Sequence, residues 1–163
     1  MSNLYLKYGA IEGSATHDTV IKQIQIDSYQ FSVGRPMGSP SGSVSKRDAG
    51  HPNLSEVNIS KMMDASSVQL FGEACDGKAV PKVTITHLRA TQPGGAPEPL
   101  LTIEMDDCMV SQYSIVASAD QNPSESVSLN FTKIKFIHHP MKADGTKEGD
   151  DPYGWDLALN KKL

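Results

Sequence analysis

The side chains that could do chemistry come as adjacent pairs: Asp106-Asp107, Asp150-Asp151 and His138-His139. Paired carboxylates can share a proton, and imidazoles can ligate zinc. On a strand, neighbouring side chains point to opposite faces, so these pairs diverge. Asp106 and Asp107 share a site only if the strand is bulged there. Asp150-Asp151 and Glu148 read as a solvated acidic turn. His17, His51 and His87 lack ligand spacing. In Gly38-Ser39-Pro40-Ser41-Gly42 a proline stands where the nucleophile of a G-x-S-x-G elbow would be. The phosphate-binding loop, the dinucleotide fingerprint and the H-E-x-x-H motif are absent from the sequence. Cys75 and Cys108 read as reduced, buried thiols. The sequence therefore predicts no catalytic, cofactor-binding or metal residues and disfavours an enzyme.

Composition narrows the classes. The chain has 163 residues and a net charge of −4, with 15 basic against 19 acidic side chains. That fits one domain, 1–163, with enough apolar residues for a core. The acidic balance argues against a nucleic-acid binder. No apolar run approaches the ~20 residues of a membrane span, so no membrane insertion is expected. Met1-Ser2-Asn3-Leu4-Tyr5-Leu6-Lys7 does not resemble a signal peptide. Three matches to the N-glycosylation pattern, at Asn53, Asn58 and Asn130, are accordingly read as chance.

The elements that would position these residues read mainly as strands of period two. Leu4, Leu6 and Tyr8 alternate with Tyr5 and Lys7. A β-prone run covers 20–33, with Ile24, Ile26 and Ser28 on one face and Gln25, Asp27 and Tyr29 on the other. Its alternation is imperfect, which predicts a bulge or partly polar faces. Further strands are expected over 54–61, over 82–88, and over 100–117 as one bent strand. Along 126–138 both faces change character halfway, as in a strand that passes between sheets. A polar turn region at 140–153 precedes a short last strand over 155–159.

One helix is expected near 65–75, with Asp64 as its N-cap and Gly77 as its C-cap. Its Val68/Phe71/Cys75 stripe predicts a face packed on a sheet. Residues 34–53 are rich in glycine, proline and serine and cannot anchor a core, so they read as an extended arm with Lys46 and Arg47 at its tip. Many short strands with one helix predict a sandwich or barrel. An acidic β domain with an arm reads as an assembly module, because arms reach neighbours and edge strands can pair into closed rings.

The chain resembles the Hcp family, whose members build the inner tube of bacterial type VI secretion systems. The resemblance rests on Leu4-Tyr5-Leu6-Lys7 with Gly9, Ile11, Glu12 and Gly13, and on Ile24-Gln25-Ile26 leading to Tyr29, Phe31 and Ser32. Ile59-Ser60-Lys61 with Met63-Asp64 continues it. Its most specific part is Glu125-Ser126-Val127-Ser128-Leu129-Asn130-Phe131, then Lys142-Ala143-Asp144-Gly145, then Gly154-Trp155-Asp156. It implies an all-β fold: a small β-barrel of two packed antiparallel sheets with one short α-helix and a long extended loop. It implies homohexameric rings stacked head to tail into a tube, a surrounding contractile sheath and a VgrG spike. Sheath contraction would drive the tube from the bacterial cytoplasm out of the cell or into a target cell without a signal peptide, and small effector proteins would ride in the pore. No cofactor is implied. Met37, Ser39, Ser43, Lys46 and Arg47 are then expected to reach a neighbouring subunit or ring, and Ser28 and Gln30 to face the pore. A phage-tail-like tube subunit and a free-ring effector carrier that does not polymerise are the alternatives.

Overall fold

The computed structural model describes residues 3–38, 49–89 and 97–163. Its strands are β1 (Leu4–Tyr8), β2 (Ile24–Ile26), β3 (Ser28–Gln30), β4 (Val33–Gly34), β5 (Asn53–Leu54) and β6 (Val57–Met62). After helix α1 (Ser67–Asp76) come β7 (Val80–Arg89), β8 (Glu98–Ser118), β9 (Gln121–Asn130), β10 (Lys133–His138), β11 (Asp151–Asp156) and β12 (Lys161–Lys162). The all-β class holds. One sheet has the order β12-β11-β10-β8-β7-β1-β2, and a second runs β3-β6-β9 and on to β8. They pack face to face over Leu6, Tyr8, Ile24, Ile26, Ile59, Ile85, Met105, Val127 and Leu129. Among the described residues the sheets do not close into a barrel.

The chain crosses from one sheet to the other at three places, between β2 and β3, within β8 and between β9 and β10, and each crossing shifts the inward-facing parity by one residue. Ile24 and Ile26 point inward along β2, but Tyr29 and Phe31 carry the inward face after Asp27. The imperfect alternation of 20–33 reflects this crossing, where the Asp27 N–H donates to the Ser60 carbonyl at 2.8 Å. In β8, Ile103 and Met105 are buried, then Cys108 and Val110. This change of inward parity falls at Asp107, whose φ of 48° is left-handed. The third crossing follows Phe131, where Thr132 N–H donates to the Asp106 carbonyl at 3.1 Å. Thr132 Oγ1 also lies 3.2 Å from Asp107 Oδ2. A one-residue slip sends a strand's apolar set to the opposite face, so a chain that changes sheets needs such a slip.

Several expectations are corrected. The last strands are β11 and β12, earlier and later than 155–159, with β11 pairing Trp155 to Ile134. In β7 a register shift falls at His87/Leu88, and Leu88 is buried apart from the core between the sheets, in a second cluster with Ala15 and Val20. The helix does end at Gly77, whose φ is 63° and whose N–H donates to the Glu73 carbonyl. Asp64 is not the N-cap: Ser66 holds that position, and the Asp64 carboxylate accepts from Ser66 N–H at 2.9 Å instead. The stripe expected against the sheet faces outward, with Val68 73% and Phe71 54% exposed. Leu70 is buried in its place, and Cys75 is exposed while Cys108 is buried.

A polar anchor holds the helix instead. Lys61 is fully buried and its ammonium lies 2.8 Å from Glu125 Oε2, 2.9 Å from Asp64 Oδ1 and 3.1 Å from Ser67 Oγ. The Tyr113 hydroxyl donates to the other Glu125 oxygen at 2.9 Å. Burial and this bond to Glu125 push the Tyr113 phenol up to about 12. Lys61↔Glu125 is a cross-strand pair of β6 and β9, so the anchor ties the second sheet to the start of α1.

Three outcomes follow from the anchor. Lys61→Met strands the Glu125 carboxylate without its cation and should cost about 3–5 kcal/mol in urea unfolding. Lys61→Met combined with Glu125→Leu should recover much of that loss, giving a clear coupling energy in the cycle. Burial alone would raise the Asp64 carboxyl, but hydrogen bonds from Ser66 and Lys61 offset this and hold it below its ordinary value of 3.8. Its stabilisation is therefore complete above that value and is lost as pH falls through it and below. Asp64→Asn should flatten that part of the acid-denaturation slope.

Candidate assembly surface

The exposed face of the second sheet is built from residues in register across all of its strands. Ser28 of β3 pairs with Ser60 of β6, which pairs with Ser126 of β9, which pairs with Ser114 of β8. The next row is Gln30, Asn58, Ser128 and Gln112, and another holds Met62, Ser124 and Val116. Ser28 Oγ lies 2.6 Å from Ser60 Oγ, and the Ser128 hydroxyl donates to Asn58 Oδ1 at 2.5 Å. At the margin, Glu56 accepts from Ser111 at 2.8 Å and from Asn130 at 3.1 Å. None of these rows contains a charged side chain.

The first sheet contrasts with this. One of its rows runs Lys82, Asp106, Lys133, Asp156, alternating in sign across β7, β8, β10 and β11. Lys82 also pairs with Glu104 at 3.3 Å. Alternating charge is ordinary chemistry for a face turned to solvent, where a quarter or more of the side chains usually carry charge. Against that background, uncharged hydroxyls and amides distinguish the second sheet.

The second sheet also has open edges. Among the described residues β3 pairs only with β6, and β8 from Met109 onward pairs only with β9. Exposed apolar side chains cluster beside the β8 edge: Ile115 and Val116 on the strand, Val68 and Phe71 on α1. Phe71 meets Tyr113 of β8 edge to face, with ring centroids 5.8 Å apart.

The residues singled out in the sequence fall unevenly on this surface. Ser28 and Gln30 lie together on the exposed face of β3. Met37 is 60% exposed and bridges to Ala49. With Val33 paired to Leu54 and Gly34 to Asn53, this brings the two ends of segment 34–53 side by side. Ser39, Ser43, Lys46 and Arg47 lie outside the described residues. His139 is tied to Asp150 at 2.7 Å and to Thr102 at 3.0 Å, which fastens the 140–150 turn to the first sheet. His138 is exposed beside it and does not join that contact. The burial of Lys61 and Glu125 and the exposure of Phe71 have no counterpart in the hydrophobic periodicity. The hydroxyl face does have a sequence signal: Ser124, Ser126 and Ser128 alternate with Glu125, Val127 and Leu129.

Comparison with known proteins accords with this architecture. Residues 5–138 match the family described as type VI secretion system effector, Hcp. The chain is 27% identical to Protein hcp1 of Pseudomonas aeruginosa over 161 residues, covering 97% of this chain and 96% of that protein. A solved structure of a type six secretion system protein superposes with a TM-score of 0.90 at 23% identity, covering all of both chains. Hcp1 from Salmonella typhimurium superposes with a TM-score of 0.79 at 22% identity, again over the whole of both chains. The fold and the matched span together place the chain in the Hcp family of type VI secretion proteins.

Proposed function

We propose that this chain is a tube subunit: it closes into homohexameric rings that stack head to tail. The observation that carries the reading is the second sheet, uncharged on its exposed face and open at both edges. Its strands β3, β6, β9 and β8 alternate in direction, so the two open edges run opposite to one another. A second copy placed head to tail then sets β3 beside β8 and continues the antiparallel order. A heterologous contact of that kind closes into a ring when its rotation divides a full turn. The edges that would otherwise invite aggregation are consumed in the ring.

In such a ring the hydroxyl and amide rows face the central pore, with Ser28 and Gln30 among them. Small effector proteins would travel there, in contact with groups that form hydrogen bonds without regard to a passenger's charge. Met37 and the arm residues Ser39, Ser43, Lys46 and Arg47 would contact a neighbouring subunit or ring. A contractile sheath around the tube and a VgrG spike at its tip complete the apparatus, and sheath contraction would carry the subunit out of the bacterial cytoplasm. The role is one of assembly and transport and requires no catalytic group.

Native mass spectrometry across a concentration series, with electron-microscope images of the same sample, tests this. Six-membered rings with an open centre are expected, and a species that stays monomeric at the highest concentration would overturn the reading. Rings that never form tubes would point to a carrier that does not polymerise. Lys46→Glu with Arg47→Glu should shorten or abolish tubes while leaving single rings; unchanged tube lengths would remove those two residues from stacking.

A further inference from the structure

The geometry points to a specific use for the outward face of α1: Val68, Phe71 and Cys75 are covered by β3 of a second copy of this chain. The inference rests on the ring reading and supplies a contact that reading leaves open.

The first argument is the helix itself. Leu70 is its one fully buried apolar side chain among the described residues, while Val68 and Phe71 are left in water. Stable apolar exposure of this kind beside an open strand edge marks a contact surface. The polar anchor from Lys61 to Ser67 and Asp64 holds the helix without help from that stripe. The stripe therefore remains free for a partner.

The second argument is position. Phe71 packs on Tyr113, and Tyr113 lies in the row Tyr29, Ile59, Val127, Tyr113 on the core side of the second sheet. A second copy that sets its β3 beside β8 brings its Tyr29 next in that row, on the side where Phe71 stands. Tyr29 is only partly buried in a single copy, which leaves ring surface for Phe71 to cover. Strands in a sheet lie about 4.8 Å apart, so an aromatic ring on one strand reaches the next.

The third argument is charge. Gln112, Tyr113 and Ser114 on one edge and Ser28, Tyr29 and Gln30 on the other are all uncharged. Joining them strands no ion. A two-fold contact of β8 with β8 would instead place Phe71 against the same helix of its partner, and the test separates the two.

The test uses the full chain with Phe71→p-benzoylphenylalanine, irradiated as assembled rings, and the cross-linked peptides are identified by mass spectrometry. Intermolecular links to residues 28–33 are expected. Links to the partner's α1 or β8, or intact rings without intermolecular links at residue 71, would overturn the inference. In parallel, maleimide labelling of Cys75 should be several-fold slower in rings than in dissociated chains, with buried Cys108 silent in both; equal Cys75 rates would also overturn it. Phe71→Ser should lose the ring species at concentrations where the unmodified chain is fully assembled, while its circular dichroism stays that of a folded chain. If the unmodified chain forms no rings at all, the ring reading fails first, and that outcome is distinguishable from intact rings with Phe71 uncovered.

Discussion

The ion pair between Lys61 and Glu125 is the contact on which the arrangement around the helix depends. Two opposite charges sit with no exposed side-chain surface, 2.8 Å apart, and their remaining bonding capacity is taken up by Asp64, Ser67 and Tyr113. Removing two ions from water is costly, and a buried pair often contributes little more than an apolar pair would. Its effect here is directional. An apolar helix face could slide or rotate on a sheet, but three bonds to one ammonium fix where α1 begins. The orientation that results keeps Leu70 inside and Phe71 outside.

That anchor explains why the helix was legible in place but not in aspect. The spacing of Val68, Phe71 and Cys75 is helical and predicts a helix near 65–75, close to the Ser67–Asp76 of α1. The inference from stripe to buried face assumes that the largest apolar residues choose the core. Here a lysine in a strand chose first, and nothing in periodicity marks a lysine as buried. The neighbouring aspartate had the composition of an N-cap and serves the anchor instead.

The strands were more legible because alternation reports burial directly. The crossing near Thr132 could be read from faces that change character halfway along one run. The crossing at Asp27 appeared only as a blemish in an otherwise regular pattern, and the one at Asp107 as a pair of carboxylates that would share a face only on a bulge. What lies there is a left-handed residue, Asp107, at the passage between sheets, with Thr132 as the partner of its carboxylate. Ser28 and Gln30 share the exposed face of β3, as the period of two in a strand requires. The rows that unite them with Ser60, Ser126 and Ser114 belong to pairing register, which a single strand's sequence does not contain.

The shared strands also bear on how the chain reaches its native state. Because β8 belongs to both sheets, neither sheet can be completed while the other is absent. The pairings are distant in sequence as well: β1 joins β7, and β6 joins β9. Loop closure over such distances is paid before any contact rewards it, which predicts slow folding for a chain of this size. The same coupling makes partial structures poor. A chain synthesised only as far as β7 has no β9 to pair with β6 and no β8 to carry a second edge. The exposed face shared by β3, β6, β9 and β8 therefore does not exist until β9 has been made.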